Sequence, residues 1–207
     1  ETERRVLAHH ASDEYAATIL RYTNLYGPRV TRQWLWPLVR RVIEGRKSVI
    51  VPGDGMSIPS ICFTANAARQ VLLAIDRREA VGQIFNSVDQ HTYVLSDIIR
   101  LVAEELGHTW EIVPVSHPLA ERLSASYARP SRVVDVAKLK YVLGYADVVV
   151  PEIAIRQTVR WLFERRSELD HAELDQFAPN PYAYELEDRL ISSYRAWSQE
   201  VQSWSNG

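Results

Sequence analysis

Six histidines, eight glycines and one cysteine are the residues best suited to chemistry in this chain, and their spacing narrows what they can do. His9, His10, His91, His108, His117 and His171 are scattered, with no HExxH or other ligand spacing, so each is expected to be a surface or core histidine rather than a metal ligand. No GxSxG marks a nucleophile elbow, while Ser-His-Asp and Cys-His arrangements assembled from distant positions stay open. Cys62 lies in the apolar run Ile61-Cys62-Phe63, where a small buried hydrophobe is expected. No three of Gly27, Gly45, Gly53, Gly55, Gly82, Gly107, Gly144 and Gly207 form GxGxxG, and no GxxxxGK occurs, so no phosphate-binding loop stands in these residues. Gly53-Asp54-Gly55 is expected to be a tight turn with positive φ.

Those residues need a scaffold, and 207 residues with 46% hydrophobic and 24% charged content suffice for one domain or two small ones. A pI near 6.3 argues against a constitutive nucleic-acid binder, which needs a basic face. One cysteine excludes an internal disulfide framework and makes a reducing cytoplasm the default location. No uninterrupted apolar run approaches the ~20 residues of a membrane helix.

Glu1 to His10 has the pattern of a helix already in progress, with Val6, Leu7 and His10 sharing a face and no N-cap before them, so the chain is expected to be the later part of something longer. Ala16 to Tyr22 is a short apolar run expected to form a strand buried on both faces, stopped by Gly27-Pro28. Thr31 is the expected N-cap of a helix reaching Glu44, despite Pro37. Strands are expected at 48–51, 58–63, 83–88 and 110–115. Helices are expected at 65–75 and 95–106, the latter with Ser96 as its capping candidate. Beyond His117 the pattern is mainly helical: 118–124, 136–143 closed by Gly144, and 151–165 opened by Pro151, with a polar loop over 167–181. A final helix over 183–203 carries Leu186, Leu190, Tyr194, Trp197, Val201 and Trp204, a stripe that must cover either the domain body or a second subunit. Strands alternating with helices predict an α/β fold with crossover connections.

Four segments then fall into register with a known family. Thr18-Ile-Leu-Arg-Tyr-Thr-Asn-Leu-Tyr-Gly-Pro-Arg29, Val51-Pro-Gly-Asp-Gly55, Gln83-Ile-Phe-Asn86 and Lys138-Leu-Lys-Tyr-Val-Leu-Gly-Tyr145 have the order and spacing of the C-terminal half of extended short-chain dehydrogenase/reductases. The chain thus resembles the NAD-dependent epimerase/dehydratase family over residues 1 to about 165. The resemblance implies an α/β fold with the end of a Rossmann-type parallel sheet and a smaller, mainly helical substrate lobe. The end of the NAD(P)-binding domain, interleaved with lobe segments, would occupy 1–115, the lobe 116–166, and a polar loop with a C-terminal amphipathic helix 167–207. It also implies NAD or NADP as cofactor in the intact protein, with a Tyr-x-x-x-Lys pair moving the proton. The three lysines, Lys47, Lys138 and Lys140, are each preceded four residues earlier by Ile or Val, so that pair is expected upstream of Glu1, together with the glycine-rich turn.

Residue by residue, the resemblance puts Tyr22 and Thr23 beside the cofactor and Asn24 facing the substrate, with Gly27-Pro28 shaping the cleft floor. Arg29, Trp34 and Arg129 are further substrate-binding candidates, against the plainer alternatives of solvent-exposed arginines and a core tryptophan. Sugar-nucleotide members carry an Arg-Asp pair and then an acidic pair where this chain has Pro59-Ser60 and Ala65-Asn66. The missing arginine removes a bidentate grip on a diphosphate and puts a nucleotide-sugar substrate in question. Three readings follow: the substrate-binding portion of an NAD(P)-dependent epimerase, dehydratase or reductase; a catalytically silent binding or scaffolding module; or one chain of a split enzyme. The expected partners are a small-molecule substrate, the missing N-terminal half and, through the aromatic stripe, a second copy of the chain.

Overall fold

Strands of Val and Ile that are apolar on both faces must be covered on both faces, and this requirement organises the molecule. The computed structural model describes residues 1–12, 15–123, 131–175 and 182–204. The central strand β3 (Ser48–Pro52) is buried throughout and pairs in parallel with β6 (Glu111–Val115). Val49 and Val51 face the main core, packed with α2 (Trp36–Ile43), α4 (Leu95–Glu105) and α7 (Pro151–Glu164), while Ile50 and Val113 face Ile191 of α9 (Tyr184–Trp204). Each residue alternation along β3 therefore serves a different layer.

Two other parallel pairs flank this one. β1 (Ile19–Tyr22) pairs with β5 (Ile84–Ser87), and β2 (Asn24–Tyr26) pairs with β4 (Ile61–Phe63). Phe85 packs with Leu73 of α3 (Thr64–Asp76) and with Leu139 and Leu143 of α6 (Ala137–Leu143), while Leu20 of β1 lies against the same cluster. α1 (Thr2–Ala11) precedes β1 and buries none of its residues; Glu3 reaches Arg21 of β1 instead. α5 (His117–Leu123) follows β6, and α8 (His171–Asp175) lies between α7 and α9. The fold is α/β, with every strand pair among the described residues parallel.

Several sequence expectations change in detail. The strand expected over 16–22 is shorter and only half-buried, because β1 is covered mainly from the side of α3 and α6 and Arg21 points to solvent. The strands form three separate two-stranded pairs rather than one sheet. α2 begins at Trp36, not after Thr31, with Pro37 in its first turn, where a missing N–H costs nothing. Ser96 does not cap α4: the N-cap is Val94, and Ser96 is buried beneath the Gly55 turn, where a Cβ on Gly55 would lie 3.0 Å from its own Cβ. The loop expected over 167–181 contains α8. By contrast, Gly144 closes α6 in the left-handed conformation at φ 63° and Pro151 opens α7, as expected.

The C-terminal segment straps across α2 and β6 by charged and polar contacts. Arg40 and the Trp36 indole reach Asp175, Arg46 reaches Asp188, Tyr184 donates to Glu44, and Arg195 grips Glu111. At its centre Arg41, fully buried, donates to the Glu187 carboxylate, 1% exposed, and to the Pro37 carbonyl at 3.1 Å.

Candidate functional site

The C-terminal ends of parallel strands are where open α/β folds gather their ligands, and three of the residues singled out from sequence, Tyr22, Thr23 and Asn24, lie where β1 ends and β2 begins. Tyr22 closes β1 opposite Ser87, and its half-buried hydroxyl donates to the Ala67 carbonyl of α3 at 3.1 Å. Burial pushes that phenol up to about 12, so it stays protonated near neutrality. Thr23 donates to the Ser60 carbonyl at 2.5 Å. Both hydroxyls are committed to backbone, and what Tyr22 and Thr23 offer a ligand is fixed shape rather than a free donor. Asn24 opens β2 opposite Ile61, half-buried, and its amide makes no hydrogen bond to the described residues.

After Tyr26 the chain turns sharply. Gly27 has φ 138°, and a Cβ there would collide with Thr64 Oγ1 and the Phe63 ring. Buried Gln33 holds the turn from inside, its Nε2 donating to the carbonyls of Gly27 at 2.9 Å and Val30 at 2.8 Å. Arg29 is carried outward, exposed, with a left-handed φ of 65° that is strained for a residue with a side chain. Gly27→Ala is expected to lower stability by about 2 kcal/mol or more, from backbone strain and overlap together; thermal unfolding of the variant checks this. Trp34 is 8% exposed within the main core, as the plainer alternative held, yet its indole N–H has no hydrogen-bond partner among the described residues. Tyr22, Thr23 and Asn24 therefore lie at the junction of β1 and β2, Arg29 lies in the turn after β2, and Trp34 belongs to the main core cluster with Tyr26 and Phe63; Arg129 lies outside the described residues.

Sequence reasoning missed the polar knot beneath this end. The Asp89 carboxylate, 4% exposed, accepts from the Phe63 amide at 3.0 Å, from Asn66 Nδ2 at 2.8 Å and from the Tyr26 hydroxyl at 3.0 Å. Asn66 in turn accepts from the amides of Val148 at 2.9 Å and Val149 at 3.0 Å. Asp147 holds the Gln90 amide and the Tyr145 hydroxyl alongside. Burial pushes Asp89 up to about 6, with the Asp147 charge adding to the rise and the donors around it limiting it. The buried Cys62 thiol is pushed up by the same burial, so it is inert as a nucleophile. The only signal available beforehand was Asn66 itself, noted as a departure from an acidic pair. Among the described residues no cluster of His, Cys, Asp and Glu has the form of a metal site.

Residues 1–87, which carry β1, the Gly27 turn, β4, α3 and β5, match the model of the NAD dependent epimerase/dehydratase family. An uncharacterised protein of Sinorhizobium fredii is 29% identical over 168 residues, covering 69% of this chain and 46% of that protein. The dTDP-glucose 4,6-dehydratase of Streptomyces griseus is 26% identical over 161 residues, covering 78% of this chain and 47% of that protein. Among solved structures, UDP-glucose 4-epimerase from Thermotoga maritima, crystallised with UDP-glucose, superposes with a TM-score of 0.62 at 23% identity, over 81% of this chain and 52% of that one, a likeness of fold. The chain spans about half the length of these relatives. Over residues 1–87, the segment that carries the parallel strands and the Gly27 turn, the chain is similar to the NAD dependent epimerase/dehydratase family.

Proposed function

We propose that the chain is the substrate-facing, C-terminal portion of an enzyme that passes hydride to and from NAD or NADP while epimerising, dehydrating or reducing a small carbonyl or carbinol compound. The observation that carries this reading is the β1 and β5 strand end, where Tyr22, Thr23 and Asn24 lie together inside the family-matched segment. Solved relatives bear on the cofactor: the dTDP-glucose 4,6-dehydratase of Streptomyces venezuelae holds NAD, and a Pseudomonas aeruginosa relative holds NADPH.

The residues present fit one end of such a cofactor. The rigid Tyr22 and Thr23 surface suits the flat nicotinamide, with Asn24 beside it holding the one uncommitted amide at the strand end. The pyrophosphate has no glycine-rich turn to rest on within these residues. When bound, the cofactor supplies hydride exchange. This chain's contribution is to position the substrate: Asn24 donates to or accepts from its polar groups, Arg29 meets a charged portion, and the Gly27 turn closes the floor. In this reading residues 1–115 complete the NAD(P) domain, 116–166 form the substrate lobe, and the cofactor's phosphates and the Tyr-x-x-x-Lys pair are supplied by a polypeptide half outside these residues. The single free cysteine suits a cytoplasmic protein, and no described helix is long and apolar enough to cross a membrane.

Titrating NADH and NADPH into the 207-residue chain, read by nicotinamide fluorescence, is expected to give no saturable binding, while the chain joined to its N-terminal half binds one of them. In that joined protein Asn24→Ala is expected to lower kcat/KM about tenfold or more, the effect of one lost directed hydrogen bond. The lack of a glycine-rich turn and of a Tyr-x-x-x-Lys pair within these residues also favours a second reading, a catalytically silent binding module. A joined protein that binds neither nicotinamide cofactor would establish that alternative.

A further inference from the structure

Asp89 and Asp147 are carboxylates that the proposed chemistry leaves unused, and both are buried, the Asp147 side chain to 3% exposure. Buried acids are ordinarily paired with cations. Among the described residues neither forms an ion pair with lysine or arginine, and the group nearest to that role is exposed His91, whose Nδ1 lies 3.7 Å from Asp147. Their other partners are neutral donors: the Phe63 amide, Asn66 and Tyr26 for Asp89, the Gln90 amide and the Tyr145 hydroxyl for Asp147.

The two acids fasten different parts of the chain together. Asp89 follows β5 and gathers β2, β4 and α3 through its three donors. Asp147 belongs to residues 146–150, which lead into α7. Its own amide donates to Gln90 Oε1 at 3.3 Å, and the next two amides, of Val148 and Val149, donate to Asn66 Oδ1. Val149 packs partly against the main core, while Val148 and Val150 are 56% and 48% exposed. The segment therefore leans on its polar contacts more than on apolar burial.

We propose that Asp89 and Asp147 form a proton-operated joint: while the pair holds one proton, residues 146–150 stay docked on Asn66 and Gln90, and when both carboxylates are ionised their repulsion loosens the segment. Like charges repel strongly where water is excluded. Burial raises Asp89 to about 6 and the Asp147 charge adds to the rise, which sets the range of the transition. A proton held more tightly in the docked form favours docking, so its contribution is fully present below about pH 4 and is lost as the pH rises through about 6. Tyr26 of β2, Cys62 of β4 and Tyr145 beside Asp147 are the other titratable groups facing the pair, and burial pushes all three upward, away from that range. His91 lies on the outside, in a cleft it shares with Asp135 and Lys140. The joint sits under the strand that carries Asn24, with Tyr26 at the far end of the same β2. The inference is independent of the catalytic reading above.

Hydrogen exchange of the 207-residue chain, followed by NMR between pH 4 and 7 and corrected for the intrinsic rate, tests it. Protection of the Val148 and Val149 amides is expected to fall about tenfold or more over that range. Low urea should leave their exchange unchanged, as for a local opening, while it accelerates exchange of the Ile50 amide in β3. Carboxyl carbon shifts of the wild-type chain are expected to show one of the two acids keeping its proton to about pH 6. Asp89→Asn should flatten the Val148 and Val149 response, Asp147→Asn should reduce it severalfold by removing the like charge, and His91→Gln should leave it in place. Circular dichroism checks the fold of each variant, and the wild-type carbon shifts with Asp147→Asn decide the question if Asp89→Asn does not fold. Protection that is constant with pH overturns the proposal, as does exchange as sensitive to urea as that of Ile50. So does a response that survives Asp89→Asn or disappears in His91→Gln, or a pair already fully ionised at pH 5.

Discussion

Glu187→Ala is expected to cost about 3–5 kcal/mol of folding stability, because it strands the Arg41 guanidinium in a fully buried position with its counterion gone. Among the described residues the Pro37 carbonyl accepts one Arg41 N–H and Arg46 is held by Asp188, and neither replaces the lost carboxylate. The exposed ion pairs of the same strap carry little by comparison, since each is screened by water. Disrupting Arg46–Asp188 by Asp188→Ala should shift stability by less than about 1 kcal/mol. Replacing both buried partners with apolar residues, Arg41→Met with Glu187→Leu, should recover most of the loss, as removing a desolvated pair together leaves no orphan charge. Urea unfolding of the two single variants and the double checks the order.

The second large effect lies at Asp89. Asp89→Ala leaves the Phe63 amide, the Tyr26 hydroxyl and Asn66 Nδ2 buried without their acceptor, and a loss of about 3 kcal/mol or more is expected. Asp89→Asn keeps the shape and part of the acceptor set and should cost less, but it removes the titration. Because burial raises the folded value to about 6, this carboxyl favours the folded state while protonated. Its contribution is fully present below about pH 4 and is lost as the pH rises through about 6. The swing is about 3 kcal/mol, for a rise of roughly two units. The groups facing it are Tyr26, Asn66, Cys62 and Asp147, the last with exposed His91 beside it at 3.7 Å. Melting curves of wild type and Asp89→Asn between pH 4 and 8 should differ in slope across that window, the variant being flatter.

These two clusters also show where a sequence is readable and where it is not. Gly144 and Pro151 announce a helix end and a helix start through their own backbone limits, and both stand where expected. The Ser48 to Val51 run is apolar without alternation, and the strand it forms is covered on both faces. Tyr22, Thr23 and Asn24 stand together in the structure because one contiguous stretch carries them. Asp89 and Asn66 stand 23 residues apart, and Arg41 and Glu187 146 apart; each pair meets only through the tertiary fold, and each member alone looks like an ordinary polar residue of a loop or helix face. Ser96 misled for a related reason. Its type suits a cap, but what decides its place is the close approach of Gly55, a contact with no local signature.

The two-sided covering of β3 also governs the order in which the chain can finish folding as it leaves the ribosome. Its parallel partner β6 emerges about sixty residues later, and α9, which covers Ile50 and Val113, is made later still. At 5–20 residues per second, an apolar strand waits roughly ten seconds or more with one face bare. Any message or nuclease event that ends translation before α9 would therefore release a product that is mostly folded, sticky along that single face, and fit for chaperone capture rather than for function.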